Sequence, residues 1–265
     1  MLTSRWRARA QACRCAVGAA ALVVAVVGPL AHGADYARED RWAQEVAPSL
    51  VVGDAVWLTT PARPKVFAIL TEPTGTAKGA VVVVHGLGVH PDFGVIGGLR
   101  TGLADAGFTT LSVQMPVLAA DAPRDDYRAT FPEAGDRIAA AIAQLRARGA
   151  AHVAVVAHSM GAAMANAYLA RPDATPIDAW APVGMFGDFA VAPREPVLDV
   201  LAQSEIPPVR ETAPARMPRL PKDGCSRQLT VEGADHYFES RQKELVAVLV
   251  AFLERAFAGR CAIAG

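Results

Sequence analysis

Continuous apolar runs that end in glycine or serine constrain the fold of this chain more than any other feature. The segment GAVVVVHG, residues 79–86, contains four successive valines, and HVAVVAHS, residues 152–159, repeats the pattern. A strand that is apolar on both sides must be covered on both faces, as in a parallel sheet flanked by helices. We therefore expect a central sheet with helices packed against each face.

Helix-like and strand-like segments alternate along the chain, as expected for such a sheet. Besides the two apolar runs, we expect strands at 54–60, 65–71, 108–116, 177–187, 196–204 and 227–234. Helices are expected at 37–47, 95–107, 131–149, 161–170 and 239–257. The proline-rich region 205–224 is expected to be a loop or a short helix. This order predicts an α/β fold with a mostly parallel sheet of about eight strands.

The N-terminal segment has the composition of an export signal. Four arginines lie between residues 5 and 14, the apolar stretch CAVGAAALVVAVVGPL occupies residues 15–30, and small residues follow at Ala31 and Gly33. This is the pattern of a cleaved secretory signal peptide. Residues 1–33 are therefore interpreted as the signal and 34–265 as one domain, secreted or periplasmic, with no stable membrane span. Retention of the leader as a membrane anchor is the alternative, although the run is shorter than the roughly 20 residues of a comfortable span.

Charge and motif content exclude several classes of function. The formal net charge is +0, so no long-range field would attract nucleic acid or an anionic surface. The sequence has no Cys/His metal cluster, no H-E-x-x-H stretch and no G-x-x-x-x-G-K loop. We therefore expect no metal or organic cofactor, and a small-molecule substrate as the partner.

The cysteines that remain after signal cleavage are Cys225 and Cys261. Cys225 precedes the last predicted strand, and the final helix must run back antiparallel to that strand, so Cys261 should finish at the same end of the sheet. An oxidising compartment would favour a bond between them. A disulfide is predicted, with two free thiols as the alternative.

A candidate nucleophile lies in VVAHSMGAAMA, residues 155–165, where a strand runs directly into a helix at Ser159. Such a sharp turn strains the backbone and projects the hydroxyl above the sheet. Small neighbours two residues to either side, Ala157 and Gly161, let the strand and the helix approach closely. The alternative is a serine that only caps the helix.

A serine nucleophile needs a base, and the base needs an orienting acid. His236 follows the last strand and can reach the top of the sheet, with His90 as a weaker candidate. Glu205 lies just beyond its strand and is the preferred acid, with Asp188 as the alternative at the previous strand end. The order Ser159, Glu205, His236 matches the chain order of α/β-hydrolase triads.

Three motifs together resemble the α/β-hydrolase superfamily over nearly all of the mature chain. They are VVVVHGLG at 81–88, AHSMG at 157–161 and GADH at 233–236. Ala157 departs from the usual leading glycine, but the resemblance includes secreted bacterial lipases with Ala-x-Ser-x-Gly. The stretch HGLGVHPDFG also resembles a group of bacterial envelope proteins whose substrates are not established.

The resemblance implies an α/β-hydrolase fold, a Ser-His-Glu triad and an acyl-enzyme intermediate. The oxyanion would be held by the backbone N–H groups of Leu87 and Met160. About ten residues join the sixth and seventh predicted strands, too few for a large cap domain, although 116–131 is an alternative source of a lid. The expected substrate is a carboxylic ester with a short or medium acyl chain, including one derived from the cell envelope. The alternatives are an amidase or peptidase, an acyltransferase, and a non-catalytic binding protein, either exported or held at the membrane by a retained leader.

Overall fold

Eight strands form one sheet in the computed structural model of the protein, which describes residues 33–261. The strands are β1 (Asp54–Leu58), β2 (Val66–Thr71), β3 (Ala80–Val84), β4 (Thr109–Val113), β5 (Val153–His158), β6 (Ala179–Val183), β7 (Leu198–Ser204) and β8 (Arg227–Asp235). The helices are α1 (Tyr36–Val46), α2 (Val95–Asp105), α3 (Phe131–Ala147), α4 (Met160–Leu169), α5 (Pro207–Arg216) and α6 (Gln242–Phe257).

The strand order in the sheet is β1-β2-β4-β3-β5-β6-β7-β8. The pairs β1–β2 and β2–β4 are antiparallel, and all pairs from β4 to β8 are parallel. The predicted fold class, a mostly parallel sheet of about eight strands with helices on both faces, is confirmed. Parallel pairing brings the carboxyl ends of β5, β7 and β8 to the same edge of the sheet, where ligands bind in open α/β folds.

The valine run explains why the sheet is covered on both sides. Val82 and Val84 of β3 pack in a buried cluster with residues of α3 and α4. Val81 and Val83, which point to the other face, pack in a second cluster with residues of α2 and α6. Because successive side chains of a strand alternate between faces, an unbroken apolar run is stable only when both faces are buried.

Several connections differ from the sequence-based expectation. Strand β6 ends at Val183 rather than 187, so the connection to β7 spans residues 184–197 and is longer than expected, yet it contains no helix. The segment 116–131 contains a short 3₁₀ helix, Arg124–Thr130. Within the proline-rich region, α5 begins at two successive prolines, which are compatible with a first helical turn. Neither connection builds a cap domain.

Cys225 and Cys261 form a disulfide with their Cα atoms 4.9 Å apart. The bond joins the segment before β8 to the end of α6, so it encloses the last strand and the last helix. None of the helices between residues 33 and 261 has the length and the hydrophobicity that a membrane-spanning helix requires. The predicted signal peptide falls, apart from Gly33, outside the described residues.

Candidate active site

Ser159 occupies a strained turn between β5 and α4. Its backbone angles are φ 55° and ψ −121°, a region that residues other than glycine rarely adopt. The residue stands at the N-cap position of α4, but its side chain makes no capping hydrogen bond. The hydroxyl therefore does not cap the helix. Helix capping was the alternative to a role as nucleophile.

The turn requires close backbone packing on its helical side. A Cβ atom at Gly161 would lie 2.3 Å from the carbonyl oxygen of His85 and 2.9 Å from a methyl group of Val84. No residue larger than glycine fits without a backbone shift. Ala157, on the strand side, is fully buried.

His236 links Ser159 to a buried acid. It follows β8 directly, and its Nε2 lies 2.9 Å from Ser159 Oγ. Its Nδ1 lies 2.7 Å from Oε2 of Glu205, the residue after β7. His236 and Glu205 are 4% and 6% exposed, so water does not compete for their contact. The structure thus brings together the three side chains selected from the sequence.

The hydrogen bonds around Glu205 determine the imidazole tautomer. Oε1 of Glu205 accepts from the Ala202 N–H at 3.0 Å. An ionised carboxylate only accepts hydrogen bonds, so Nδ1 of His236 carries the proton and Nε2 accepts from the Ser159 hydroxyl. Gly184 leaves room for this contact, because a Cβ there would lie 3.0 Å from His236 Cε1. Sequence reasoning missed Gly184.

The other candidate bases and acids lie outside this arrangement. Asp188 is partly exposed and forms an ion pair with Arg219 at 2.5 Å. Asp235, the acidic residue next to His236 in the chain, accepts from the Tyr237 N–H at 3.1 Å and closes a local turn. His90 packs between aromatic rings in the β3–α2 connection, and burial lowers its pKa.

The turn after β3 is oriented by His85, a fully buried side chain. Nε2 of His85 accepts from the Met115 N–H at 2.8 Å, so Nδ1 carries the proton and donates to the Gly86 carbonyl at 2.8 Å. Burial lowers the pKa of His85 to about 3, which keeps the ring neutral. In a planar trans peptide the C=O and N–H groups point in opposite directions. The Leu87 N–H, which shares the Gly86 peptide unit, therefore points away from the His85 ring.

A cleft of about 230 Å³ opens beside Ser159 and His236. Its walls are mostly apolar, and Phe93 and Tyr237 are more than half exposed at the cleft. Arg124, Glu239 and the two histidines, His158 and His236, are the ionisable residues along its wall apart from Tyr237. The apolar lining residues are Leu87, Val89, Phe93, Val95, Ile96, Met160, Phe186, Ile206 and Tyr237. Among residues 33–261, no group of three or more His, Cys, Asp or Glu side chains is arranged to hold a metal ion.

Comparison with protein-family models identifies the family. The model described as the alpha/beta hydrolase family matches residues 81–262. The chain belongs to the α/β-hydrolase family. A second model, a protein family of unknown function called DUF3530, matches residues 25–135 of this α/β-hydrolase. No curated protein sequence matches the chain.

Solved structures share the fold of this α/β-hydrolase at low sequence identity. A putative alpha/beta hydrolase of unknown function from Agrobacterium tumefaciens aligns with a TM-score of 0.63 at 17% identity, covering 80% of this chain and 100% of its own. A serine hydrolase without lid from Xanthomonas campestris aligns with a TM-score of 0.63 at 16% identity, covering 78% and 95%. A serine hydrolase homologue from Coxiella burnetii aligns with a TM-score of 0.60 at 15% identity, covering 77% and 99%.

Proposed function

We propose that this protein is an exported serine hydrolase that cleaves a carboxylic ester with a short or medium acyl chain. The observation that carries the proposal is the hydrogen-bonded series Ser159, His236 and Glu205, with distances of 2.9 and 2.7 Å. A hydroxyl that does not cap its helix, on a strained turn and in contact with an imidazole, is the arrangement of an activated nucleophile.

The reaction would begin at the Ser159 hydroxyl. His236 Nε2 takes the hydroxyl proton as Oγ forms a bond to the ester carbonyl carbon, and the carbonyl π electrons move to oxygen. When the tetrahedral intermediate collapses, His236 returns the proton to the departing alcohol. Water then repeats the sequence on the acyl-enzyme, with His236 as the base. Glu205 holds the imidazole in the required tautomer and stabilises its charged form throughout.

The negative charge on the oxygen would be held by the N–H groups of Met160 and Leu87. Met160 is the first residue of α4, and the first N–H groups of a helix have no intrahelical partner. The Leu87 N–H is turned away from the His85 ring by the peptide geometry described above. Donors that are already oriented stabilise the transition state without further reorganisation.

The size and polarity of the cleft support a small apolar acyl group. Its volume of about 230 Å³ is below the roughly 300–1,000 Å³ of sites for drug-sized ligands. The apolar lining, including Phe93, Ile96 and Phe186, suits the hydrocarbon part of an acyl chain better than a polar group. Among residues 33–261 no cap domain closes the cleft, so the alcohol part of the substrate can extend from it into solvent.

Export through the predicted signal peptide, residues 1–33, belongs to the same proposal. The Cys225–Cys261 disulfide supports it, because disulfides persist in oxidising compartments such as the periplasm. N-terminal sequencing of the protein recovered from a bacterial periplasm should give Ala34 as the first residue. A mature chain that begins at Met1 in the membrane fraction would instead support a retained anchor.

Labelling with a fluorophosphonate probe tests the nucleophile. The wild-type protein should label, and Ser159→Ala should not. The matched control is Ser204→Ala, which changes an exposed serine at the end of β7. Equal labelling of wild type and Ser159→Ala would overturn the proposal, and so would the absence of labelling in a folded wild-type protein.

A panel of p-nitrophenyl esters from acetate to palmitate tests the substrate class. We expect kcat/KM to be highest for acyl chains of two to about eight carbons, because the cleft is small. An anilide with the same acyl group should be hydrolysed far more slowly. Faster hydrolysis of the anilide would favour the amidase alternative, and faster transfer to an added alcohol than to water would favour an acyltransferase.

A further inference from the structure

A second histidine contacts the candidate base from the nucleophile side. His158, the last residue of β5, is 5% exposed, and its Nε2 lies 2.8 Å from the backbone carbonyl oxygen of His236. The two imidazole rings are tilted by 39°, with their centroids 5.0 Å apart. Two consecutive residues thus contact the same histidine. The Ser159 hydroxyl bonds to the His236 side chain, and the His158 ring bonds to the His236 backbone.

The contact determines which nitrogen of His158 carries the proton. A carbonyl oxygen can only accept a hydrogen bond, so Nε2 of the neutral ring must be the donor and Nδ1 is unprotonated. Burial, together with the nearby His236 ring, lowers the pKa of His158 to about 4. At neutral pH the ring is therefore an uncharged donor with a defined orientation.

The backbone hydrogen bonds within the loop that carries His236 are local. The Phe238 N–H bonds to the Asp235 carbonyl and the Arg241 N–H to the Phe238 carbonyl, each at 3.0 Å, and the Tyr237 N–H bonds to Asp235 Oδ1 at 3.1 Å. Phe238 has a φ of 53°, so this turn is strained and needs external contacts to keep its shape. The His158 bond reaches the middle of the turn, at the carbonyl of the residue whose side chain must align with Ser159.

We propose that His158 is a positioning residue that fixes the His236 loop through its Nε2–H bond to the His236 carbonyl. This inference rests on the proposed function, because it assigns His158 an effect on the base of that reaction. His158 does not touch the reacting atoms. It restrains the imidazole in the orientation in which both the Ser159 and the Glu205 contacts are short.

The charge state of His158 matters because His236 becomes positively charged during the reaction. The titratable groups around the His236 ring are Glu205, just after β7, His158 at the end of β5, and Tyr237, the next residue in the loop that carries His236. A second cation with its ring centroid 5.0 Å away would oppose formation of the imidazolium. A donor that stays neutral can position the loop without this repulsion, which a lysine or arginine at the same place could not do.

Three variants test the proposal in the full-length enzyme with p-nitrophenyl butyrate as substrate. His158→Leu removes the donor, and His158→Gln keeps an N–H that can reach the carbonyl. His152→Leu is the matched control, since His152 lies at the opposite end of β5 and contacts Asp178 at 3.2 Å. Rates are divided by the concentration of sites titrated with fluorophosphonate, so loss of folded protein does not count as loss of activity.

We expect His158→Leu to lower kcat about 10- to 100-fold with little change in KM, and His158→Gln to recover to within about threefold of wild type. The acid limb of the pH–rate profile, which reports protonation of the base, should move to lower pH in His158→Leu. The reason is that a loosened Glu205 contact stabilises the imidazolium less. A purely structural role would reduce the number of titrated sites and leave kcat per site and the pH profile unchanged.

A measurement on the wild-type protein does not depend on the variants folding. Nitrogen-15 NMR of histidine-labelled enzyme at pH 7 should show His158 with its proton on Nε2 and in slow exchange with water. A proton on Nδ1, or wild-type kcat and pH profile in His158→Leu, would overturn the proposal. Failure of the proposed function is distinguishable, because wild type itself would then show no Ser159-dependent turnover.

Discussion

Two buried acidic residues, one within β7 and one just after it, pair with different kinds of basic side chain. Asp199, within β7, pairs with Arg216 of α5 at 2.9 Å, and both side chains are fully buried. Glu205, just after β7, pairs with His236 at 2.7 Å, and both are nearly as buried. An arginine is always charged, so the first pair is a permanent ion pair that ties α5 to the sheet.

The second pair is built around a group that can gain and lose a proton. Histidine is the side chain whose charge changes most easily near neutral pH, and here its second nitrogen faces Ser159 Oγ rather than another structural partner. Arg216, by contrast, donates to both oxygens of Asp199 and to the Gly187 carbonyl. Burial alone does not distinguish the Asp199 pair from the pair proposed to be catalytic; the two pairs differ in the identity of the acid's partner and in that partner's other contacts.

The largest expected effect is on activity, at the Glu205 pair. Glu205→Gln keeps the shape of the side chain but removes the charge that orients and stabilises the imidazolium, so we expect kcat to fall about 10³- to 10⁴-fold. Steady-state kinetics per titrated site would measure this. Because the amide can still hydrogen-bond, the folded fraction at 25 °C should change little. A loss of less than tenfold would contradict the role proposed for Glu205.

The same change of carboxylate to amide at Asp199 should affect stability instead. Asp199→Asn leaves the buried Arg216 charge without a counter-ion, which we expect to cost about 3–5 kcal/mol of unfolding free energy. Urea unfolding followed by circular dichroism measures the loss. Activity per titrated site should stay within a few-fold of wild type. A large fall in kcat with unchanged stability would erase the distinction between the two acids.

Removal of the disulfide should lower the stability of the fold while leaving both the Asp199–Arg216 and the Glu205–His236 pairs in place. The Cys225–Cys261 bond closes a loop with a sequence separation of 36 residues. In the chain-entropy model such a bond stabilises the fold by about 3–4 kcal/mol. The double variant Cys225→Ala/Cys261→Ala should lose that amount in urea unfolding while keeping kcat. Cys225 precedes β8 and His236 follows it, so a loss of kcat would show that the ends of this strand are coupled.

The smallest effect concerns the pH dependence of stability. Burial lowers the pKa of His85 to about 3 and that of His158 to about 4. Below a pH of roughly 6.5 the unfolded chain binds protons that the folded chain cannot, so stability falls as pH decreases towards these values. Each histidine should cost about 2 kcal/mol between pH 7 and pH 5.

Urea unfolding at pH 5, 6 and 7 measures this slope. His158→Gln should remove its share of the pH dependence. A stability that is flat from pH 7 to pH 5 would contradict the neutral, buried state of both rings.

The sequence was sufficient to predict most of the sheet because its signals are local. Apolar runs, glycine turns and the AHSMG turn each depend on neighbouring residues, so β3, β5 and the bend at Ser159 were recognisable without tertiary information. The choice of Glu205 over Asp188 as the partner of His236 had weaker local support, because both residues follow a predicted strand. In the structure Glu205 contacts His236, and Asp188 pairs with Arg219.

Some ion pairs between distant segments of the chain were not predicted from the sequence. Glu39 of α1 is buried against Arg63 and Arg137, a network that joins three separate parts of the chain. Burial raises the pKa of Glu39 against the opposing effect of the two arginines. Nothing in the local pattern of these residues indicates that they meet, since each is an ordinary polar residue in its own segment.

By itself, the sequence determined the alternation of strands and helices, the buried character of the central strands, and the placement of a serine on a tight turn. These follow from side-chain periodicity and from steric limits that operate within a few residues. Only the tertiary structure decided which acid faces His236, that the Ser159 hydroxyl is not used as a helix cap, and that His158 bonds to the loop of the base. Those outcomes depend on packing between segments that lie tens of residues apart in the chain, where small displacements make or break a hydrogen bond.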